Sequence, residues 1–232
     1  MQIFGLTKTT LLDYPGRVAA VLFTGGCSFR CPFCHNGGLV ISPSEKSIIP
    51  EEEVFDFLQK RRSVLSGVCI SGGEPALQPD LPAFLYRLKS TLGYDVKLDT
   101  NGYHPDVLQC LIKEKLIDYI AMDIKAGPDN YGNVCGLPGL LLDRIHASIQ
   151  LLQGSGLTYE FRTTVVKELH TEHDFIQIAD WIAGSPAYFL QSYTDSGQVL
   201  SPGFHACTKQ ELSHFLAVVQ RRIPNATLRG ID

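Results

Sequence analysis

Short apolar or β-branched runs alternate with segments of helical periodicity six times along this chain of 232 residues. Such alternation predicts parallel strands joined by crossover helices, and six units favour an incomplete α/β barrel over a closed eight-stranded one. Thr208 and Glu211, spaced as a capping box, mark the start of the last helix. The predicted strands are 18–23, 67–71, 95–100, 119–124, 159–166 and 187–191, and the predicted helices are about 51–62, 79–92, 104–116, 141–153, 171–183 and 208–221.

The composition bounds the class of protein. With 44% hydrophobic and 19% charged residues, the chain is long enough for one sizeable core, and we expect a single domain over residues 1–232. No apolar run reaches the length of a membrane span, and the first residues lack a secretory signal, so we expect a cytoplasmic protein without a membrane partner. The net charge is −4 and the sequence has no lysine- or arginine-rich stripe, so it predicts no basic surface for binding nucleic acid.

Three cysteines, Cys27, Cys31 and Cys34, follow the first predicted strand on one short loop. Three thiolates can hold three irons of a cubane iron–sulfur cluster and leave the fourth iron open to a non-protein ligand. A structural zinc site normally needs a second pair of ligands, which this sequence lacks, and the adjacency of His35 to Cys34 makes joint ligation awkward. The odd total of seven cysteines disfavours a disulfide framework.

Further polar motifs follow the next three predicted strands. They are SGGEP at 71–75, DTNG at 99–102 and MDIK at 122–125. In parallel α/β folds the ligand site lies at the carboxyl ends of the strands, where these motifs would meet. The two glycines permit close backbone approach, and Glu74 supplies a carboxylate. Each motif alone could be a turn or a cap, but their repeated placement predicts one site.

The cysteine loop, with Phe33 before its last cysteine, resembles that of the radical S-adenosylmethionine (SAM) enzymes, and the glycines with Glu74 resemble their second signature. Together with CHN at 34–36, the motifs resemble those of the glycyl-radical-enzyme activases. The segment TLLDYPG at 10–16 looks most like the branch of anaerobic ribonucleoside-triphosphate reductase activating proteins. The resemblance spans nearly the whole chain and implies an incomplete (β/α)6 barrel of the radical SAM type.

The resemblance also implies a set of binding residues. Cys27, Cys31 and Cys34 would bind a [4Fe-4S] cluster whose fourth iron is chelated by SAM. Asp99 and Asp123 would help to bind a monovalent cation, and Lys125 would contact substrate or SAM, or be a plain surface lysine. The remaining SAM contacts would be Phe33 at the adenine, Gly72 and Gly73 along the methionine part, Glu74 at its ammonium, Thr100 and Asn101 at the ribose, and Arg162 at the carboxylate.

The implied reaction starts with one electron from flavodoxin or ferredoxin. Reductive cleavage of SAM would give methionine and a 5′-deoxyadenosyl radical, which would take a hydrogen from a glycine of a partner enzyme, with anaerobic ribonucleotide reductase as the first candidate. Three alternatives stay open: an activase of formate-lyase or another glycyl-radical enzyme, a radical SAM enzyme modifying a peptide or small molecule, and an iron–sulfur carrier. A carrier would need no glycine–glutamate motif and would normally close all four irons with cysteine.

Overall fold

A computed structural model describes residues 1–43, 47–195, 197 and 199–231 of the chain. Its eight strands form one sheet in chain order, and β1 pairs antiparallel with β2 while every later neighbouring pair is parallel. Within the described residues no ladder joins β8 to β1, so the barrel is open. The strands are β1 (Ile3–Thr10), β2 (Ala19–Thr24), β3 (Gly67–Gly72), β4 (Asp95–Thr100), β5 (Tyr119–Asp123), β6 (Thr158–Val165), β7 (Tyr188–Ser192) and β8 (Thr227–Arg229).

Helices connect the parallel strands and bury their apolar faces against the sheet. The α-helices are α1 (Gly37–Ile41), α2 (Glu51–Lys60), α3 (Leu81–Arg87), α4 (Pro105–Lys113), α5 (Tyr131–Cys135), α6 (Leu142–Gly154), α7 (Glu172–Trp181) and α8 (Lys209–Gln220). A π-helical turn continues α3 over Leu88–Leu92. At the start of α8, the backbone N–H of Glu211 donates to the hydroxyl of Thr208 at 3.2 Å, which confirms the predicted capping box. None of the described helices has the length and apolarity of a membrane span.

All six predicted strands and all six predicted helices are present, with ends that shift by only a few residues. The incomplete α/β barrel is therefore confirmed, with a strand added at each edge of the sheet. The sequence patterns missed β1 and β8 because β1 is a largely exposed edge strand without a clean apolar alternation, and β8 has three residues. The unpredicted helices α1 and α5 have five residues each, too few to show a helical period.

The two faces of the central strands differ in character. On β4, Val96 and Leu98 are fully buried, and the alternating residues Lys97 and Asp99 lie on the opposite face, inside the barrel. Lys97 is itself only 1% exposed. The barrel interior therefore carries charged side chains below the ends of the strands, whereas the sheet's other face is apolar.

The loop between β1 and β2 closes the amino-terminal end of the barrel. The ring centroid of Tyr14 lies 5.9 Å from that of Tyr119, at the start of β5. A Cβ added at Gly67, where β3 starts, would lie only 2.7 Å from Cδ1 of the Tyr14 ring. Nε of Arg17 donates to Oδ2 of Asp95, the first residue of β4, at 2.6 Å. This loop belongs to the segment singled out by its resemblance to the reductase activases, and it lies at the opposite end of the strands from the cysteine loop.

Candidate active site

The cysteine loop follows β2 and forms one wall of a cavity at the carboxyl ends of the strands. Cys27, Cys31 and Cys34 all line this cavity, and none of them forms a disulfide. The backbone hydrogen bonds that hold the loop include those from Gly26 N to the carbonyl of Leu39 at 2.8 Å and from Arg30 N to the carbonyl of Cys135 at 2.8 Å. These contacts fix the backbone from which the three thiols project.

Burial keeps two of the three thiols neutral in the absence of a metal. Burial raises the pKa of Cys27 to about 11 and that of Cys31 to about 12, so both are protonated at neutral pH unless a bound cation displaces the protons. Cys27 Sγ already accepts from Phe29 N at 3.4 Å and from Asn101 Nδ2 at 3.6 Å, contacts that would favour a bound thiolate.

The donor set fits a cluster with an open iron. Three sulfur donors share the cavity, and no fourth cysteine of the described residues lines it. Nowhere in residues 1–43, 47–195, 197 and 199–231 are three or more His, Cys, Asp or Glu side chains placed so that they could hold a single metal ion. Three thiolates on one wall, facing a cavity with room for a further ligand, are what a [4Fe-4S] cluster with one open iron requires.

Gly72 and Gly73 lie where the end of β3 meets the start of the cysteine loop. Gly72 has φ +117°, and a Cβ on Gly73 would lie 1.8 Å from the carbonyl oxygen of Gly26. The backbone N–H of Gly73 also donates to the carbonyl of Thr24, the last residue of β2, at 2.9 Å. Both glycines also line the cavity. They are therefore required by backbone packing as well as being open to a ligand.

Glu74 is the one predicted site residue that does not line the cavity within the described part of the chain. It is fully buried, and its Oε1 accepts from the hydroxyl of Thr100 at 2.8 Å and from Ala76 N at 3.0 Å. Its Oε2 accepts from Asn101 N at 2.7 Å. Burial raises the pKa of Glu74 to about 7 even though these hydrogen bonds lower it. Glu74 thus joins the glycine loop to the end of β4 from behind the cavity wall, and its contact with SAM stays a prediction.

Charged side chains of alternating sign form a further wall of the cavity. Arg162 donates from Nε to Oδ1 of Asp123 at 2.8 Å and from Nη1 to Oδ1 of Asp99 at 3.4 Å, while Lys125 donates to Oδ2 of Asp123 at 3.0 Å. Burial by itself raises the pKa of Asp123, but the cationic groups of Arg162 and Lys125 outweigh it and lower that pKa to about 2. Asp99, Asp123, Arg162 and Lys125 all line the cavity.

Other cavity residues include some that the sequence did not assign. Phe33, Thr100 and Asn101 are buried and line the cavity, and their contacts with SAM stay predictions, whereas Ser71 and Thr164 were given no role. Lys97 was also missed. It lies beneath the cavity and forms an ion pair with Asp99. The one sequence signal was the alternation of Lys97 and Asp99 with the apolar residues Val96 and Leu98, which places Lys97 on the inner face with Asp99.

Two sequence comparisons bear on the family. The Radical SAM superfamily matches residues 21–182. A protein of Methanocaldococcus jannaschii, whose name assigns it to the glycyl-radical enzyme activating enzymes, is 36% identical over 99% of this chain and 96% of its own length. Pyruvate formate-lyase-activating enzyme of Clostridium pasteurianum is 31% identical over 58% of this chain and 57% of its own length.

The solved structures agree on the fold. Streptococcus suis SuiB bound to its precursor peptide SuiA superposes with a TM-score of 0.70 at 15% identity, over 90% of this chain and 48% of that one. A domain of pyruvate-formate lyase-activating enzyme from Bacteroides vulgatus superposes with a TM-score of 0.58 at 19% identity, over 71% of this chain and 99% of that one. The sequence comparisons agree with the cysteine loop and the cavity that it lines. They establish that the chain belongs to the radical SAM superfamily and, within it, to the glycyl-radical enzyme activating enzymes.

Proposed function

We propose that the chain binds a [4Fe-4S] cluster and SAM in the cavity and generates a glycyl radical on a partner enzyme. One observation carries the proposal: three cysteines and a charged wall line the same cavity, and no fourth cysteine of the described residues lines it. A carrier would close the fourth iron with a cysteine. When bound, the cluster and SAM supply one-electron reductive cleavage of a carbon–sulfur bond, and the protein supplies binding, orientation and exclusion of water.

The side chains around the cavity have complementary tasks in this proposal. Cys27, Cys31 and Cys34 hold the cluster. The buried ring of Phe33 offers an apolar, polarisable surface to the adenine. Asn101, held by Glu74 through its backbone N–H, presents a short polar side chain to the ribose hydroxyls.

Arg162 is suited to the SAM carboxylate. A guanidinium has five N–H donors, and the contacts of Arg162 with Asp99 and Asp123 engage only two of them. The wall residues Asp99, Asp123, Lys125 and Arg162, together with Lys97 beneath them, comprise three cations and two carboxylates, so this group has an excess of one positive charge. An anionic carboxylate would offset that charge.

We further propose that the partner is an anaerobic ribonucleoside-triphosphate reductase and that flavodoxin or ferredoxin supplies the electron. The support for this partner is the resemblance of residues 10–16 to the reductase-activase branch, an association and not a contact. The buried Tyr14 of this segment packs at the floor of the barrel, far from the cavity, so the segment does not itself receive the glycine loop. Formate-lyase is the second candidate because of the identity with the C. pasteurianum enzyme.

The partner is tested by anaerobic radical transfer. The reconstituted protein is reduced and mixed with SAM and, in separate samples, the reductase or formate-lyase, and the glycyl radical is recorded by electron paramagnetic resonance together with the 5′-deoxyadenosine formed. A glycyl doublet on the reductase alone, matched by 5′-deoxyadenosine, supports both parts of the proposal. A doublet on formate-lyase alone would overturn the partner. If SAM is cleaved and neither enzyme carries a radical, both candidate partners are wrong.

A further inference from the structure

Lys97 is a fully buried lysine inside the barrel. Its side chain is 2% exposed, and its ammonium forms an ion pair with Asp99. The other polar contact of Nζ is the thiol of Cys69 at 3.9 Å, and the ring of Tyr119 has its centroid 6.0 Å away. Among the described residues Asp99 is its one carboxylate partner within ion-pair distance. A buried charge of this kind is costly unless it is paired, so this lysine depends on Asp99.

Asp99 in turn is held by cationic side chains. Lys97 reaches it from its own strand, two residues earlier, and Nη1 of Arg162 reaches the same Oδ1 atom from β6 at 3.4 Å. The second carboxylate, Asp123, is likewise bound by Arg162 and by Lys125. Each carboxylate thus has two positively charged partners, one of which is shared.

This arrangement does not fit the monovalent cation that the family resemblance implies between Asp99 and Asp123. A sodium or potassium ion is bound by several oxygen ligands, and a carboxylate that already pairs with two cationic groups has little negative charge left to offset that of the ion. Here the two carboxylates face three cations, and a metal ion would raise the excess from one positive charge to two in a buried site.

We propose that the ammonium of Lys97 takes the place of a monovalent metal ion beside Asp99, so that this chain folds its site and binds SAM without such an ion. Lys97 is a positioning residue in this scheme, since it holds the Asp99 side chain that also contacts Arg162. The part that concerns SAM rests on the proposed function. The part that concerns the ion is a property of the protein before any cofactor binds.

The first experiment uses the protein without cluster or SAM. Thermal unfolding is measured in potassium chloride, sodium chloride and tetramethylammonium chloride at equal ionic strength, because tetramethylammonium is too large to enter the site. The wild-type midpoint should agree within about 1 °C among the three salts, since a ligand raises the midpoint only if it binds the folded state. A midpoint that is clearly higher in potassium or sodium would show a metal site beside Lys97 and would overturn the proposal.

Two substitutions of Lys97 distinguish the loss of its charge from the loss of its side-chain volume. Lys97→Ala removes the ammonium and opens room for an ion, whereas Lys97→Met removes the charge and fills the room. Each should lower the midpoint by roughly 10 °C in tetramethylammonium, because the buried Asp99 carboxylate loses one of its two cationic partners. Potassium or sodium should restore a substantial part of the loss in Lys97→Ala and little in Lys97→Met. A Lys97→Ala protein that folds and is insensitive to these ions would contradict the idea that Lys97 stands where an ion could bind.

The exposed Lys113→Ala serves as the control, because it loses a lysine outside the site and should behave as wild type in every salt. If neither Lys97 variant folds, the wild-type comparison still decides the claim. SAM affinity of the reconstituted wild type is then measured in the same salts and should be equal within about twofold, whereas a tenfold gain in potassium would overturn the proposal. Loss of SAM binding in all salts would instead count against the proposed function and leave the unfolding result intact.

Discussion

The Oε2 atom of Glu74 accepts a hydrogen bond of 2.7 Å from the backbone N–H of Asn101, and the side-chain amide of Asn101 lies 3.6 Å from the sulfur of Cys27. A carboxylate on the loop after β3 thus positions a residue after β4, which in turn contacts the loop after β2. The sequence motifs that looked separate are joined by direct contacts behind the cavity wall.

Glu74→Ala should destabilise the protein while sparing the cluster. The substitution leaves the buried donors of Ala76, Thr100 and Asn101 without their acceptor, which is expected to cost about 2–5 kcal/mol. SAM binding should weaken as Thr100 and Asn101 lose their anchor. Chemical denaturation, iron content and SAM affinity measure the three effects, with the exposed Glu53→Ala as the matched control. Unchanged stability and SAM affinity would show that the carboxylate does not position these residues.

Glu74 should also give the protein a pH-dependent stability. Its pKa is raised from 4.5 to about 7, so the folded state binds more protons than the unfolded state between these values. The contribution of Glu74 is therefore fully present below about pH 4.5 and is lost as the pH rises through about 7, a loss of up to about 3 kcal/mol. Glu74→Gln cannot ionise and should lack this slope in denaturation curves recorded across the range. An identical slope in both proteins would exclude Glu74 as its source.

Gly73→Ala should abolish cluster assembly. The new Cβ would meet the carbonyl oxygen of Gly26 at 1.8 Å, and because this is a backbone atom the cysteine loop would have to move. Gly154→Ala is the control, since a Cβ at this end of α6 meets nothing within 4 Å and should stabilise the helix by about 0.5–1 kcal/mol. Iron content after reconstitution and the unfolding midpoint check both variants. A Gly73→Ala protein with a full complement of iron would contradict the close packing of the two loops.

Tyr14→Ala should unfold the protein more easily without altering the site. Tyr14 is 5% exposed and covers the floor of the barrel, so its truncation is expected to cost about 3–5 kcal/mol. The neighbouring Leu12→Ala should have little effect, because Leu12 is 89% exposed. The SAM affinity of the folded Tyr14→Ala protein should match the wild type, since the loop lies at the opposite end of the strands. A large change in affinity with normal stability would place the loop in the binding site.

The sequence predicted the six central strands and the residues at their ends because periodicity and turn chemistry are local properties. It did not predict β1, which lacks a clean apolar alternation, or α1 and α5, which are shorter than two helical turns. Contacts between side chains from different strands are not local. The pairing of Arg162 with Asp99 depends on which faces of β4 and β6 meet inside the barrel, and the sequence does not state this directly.

The central claim is that the three cysteines hold the cluster at which SAM is cleaved. The most direct measurement compares wild type, Cys31→Ala and Cys110→Ala after anaerobic reconstitution, by iron and sulfide content and by 5′-deoxyadenosine formed on reduction with SAM. Cys31 lines the cavity and Cys110 is exposed on α4, away from it. Cys31→Ala should lose the cluster and 5′-deoxyadenosine formation together, while Cys110→Ala should keep both. A Cys31→Ala protein that retains the cluster and cleaves SAM at the wild-type rate would contradict the central claim.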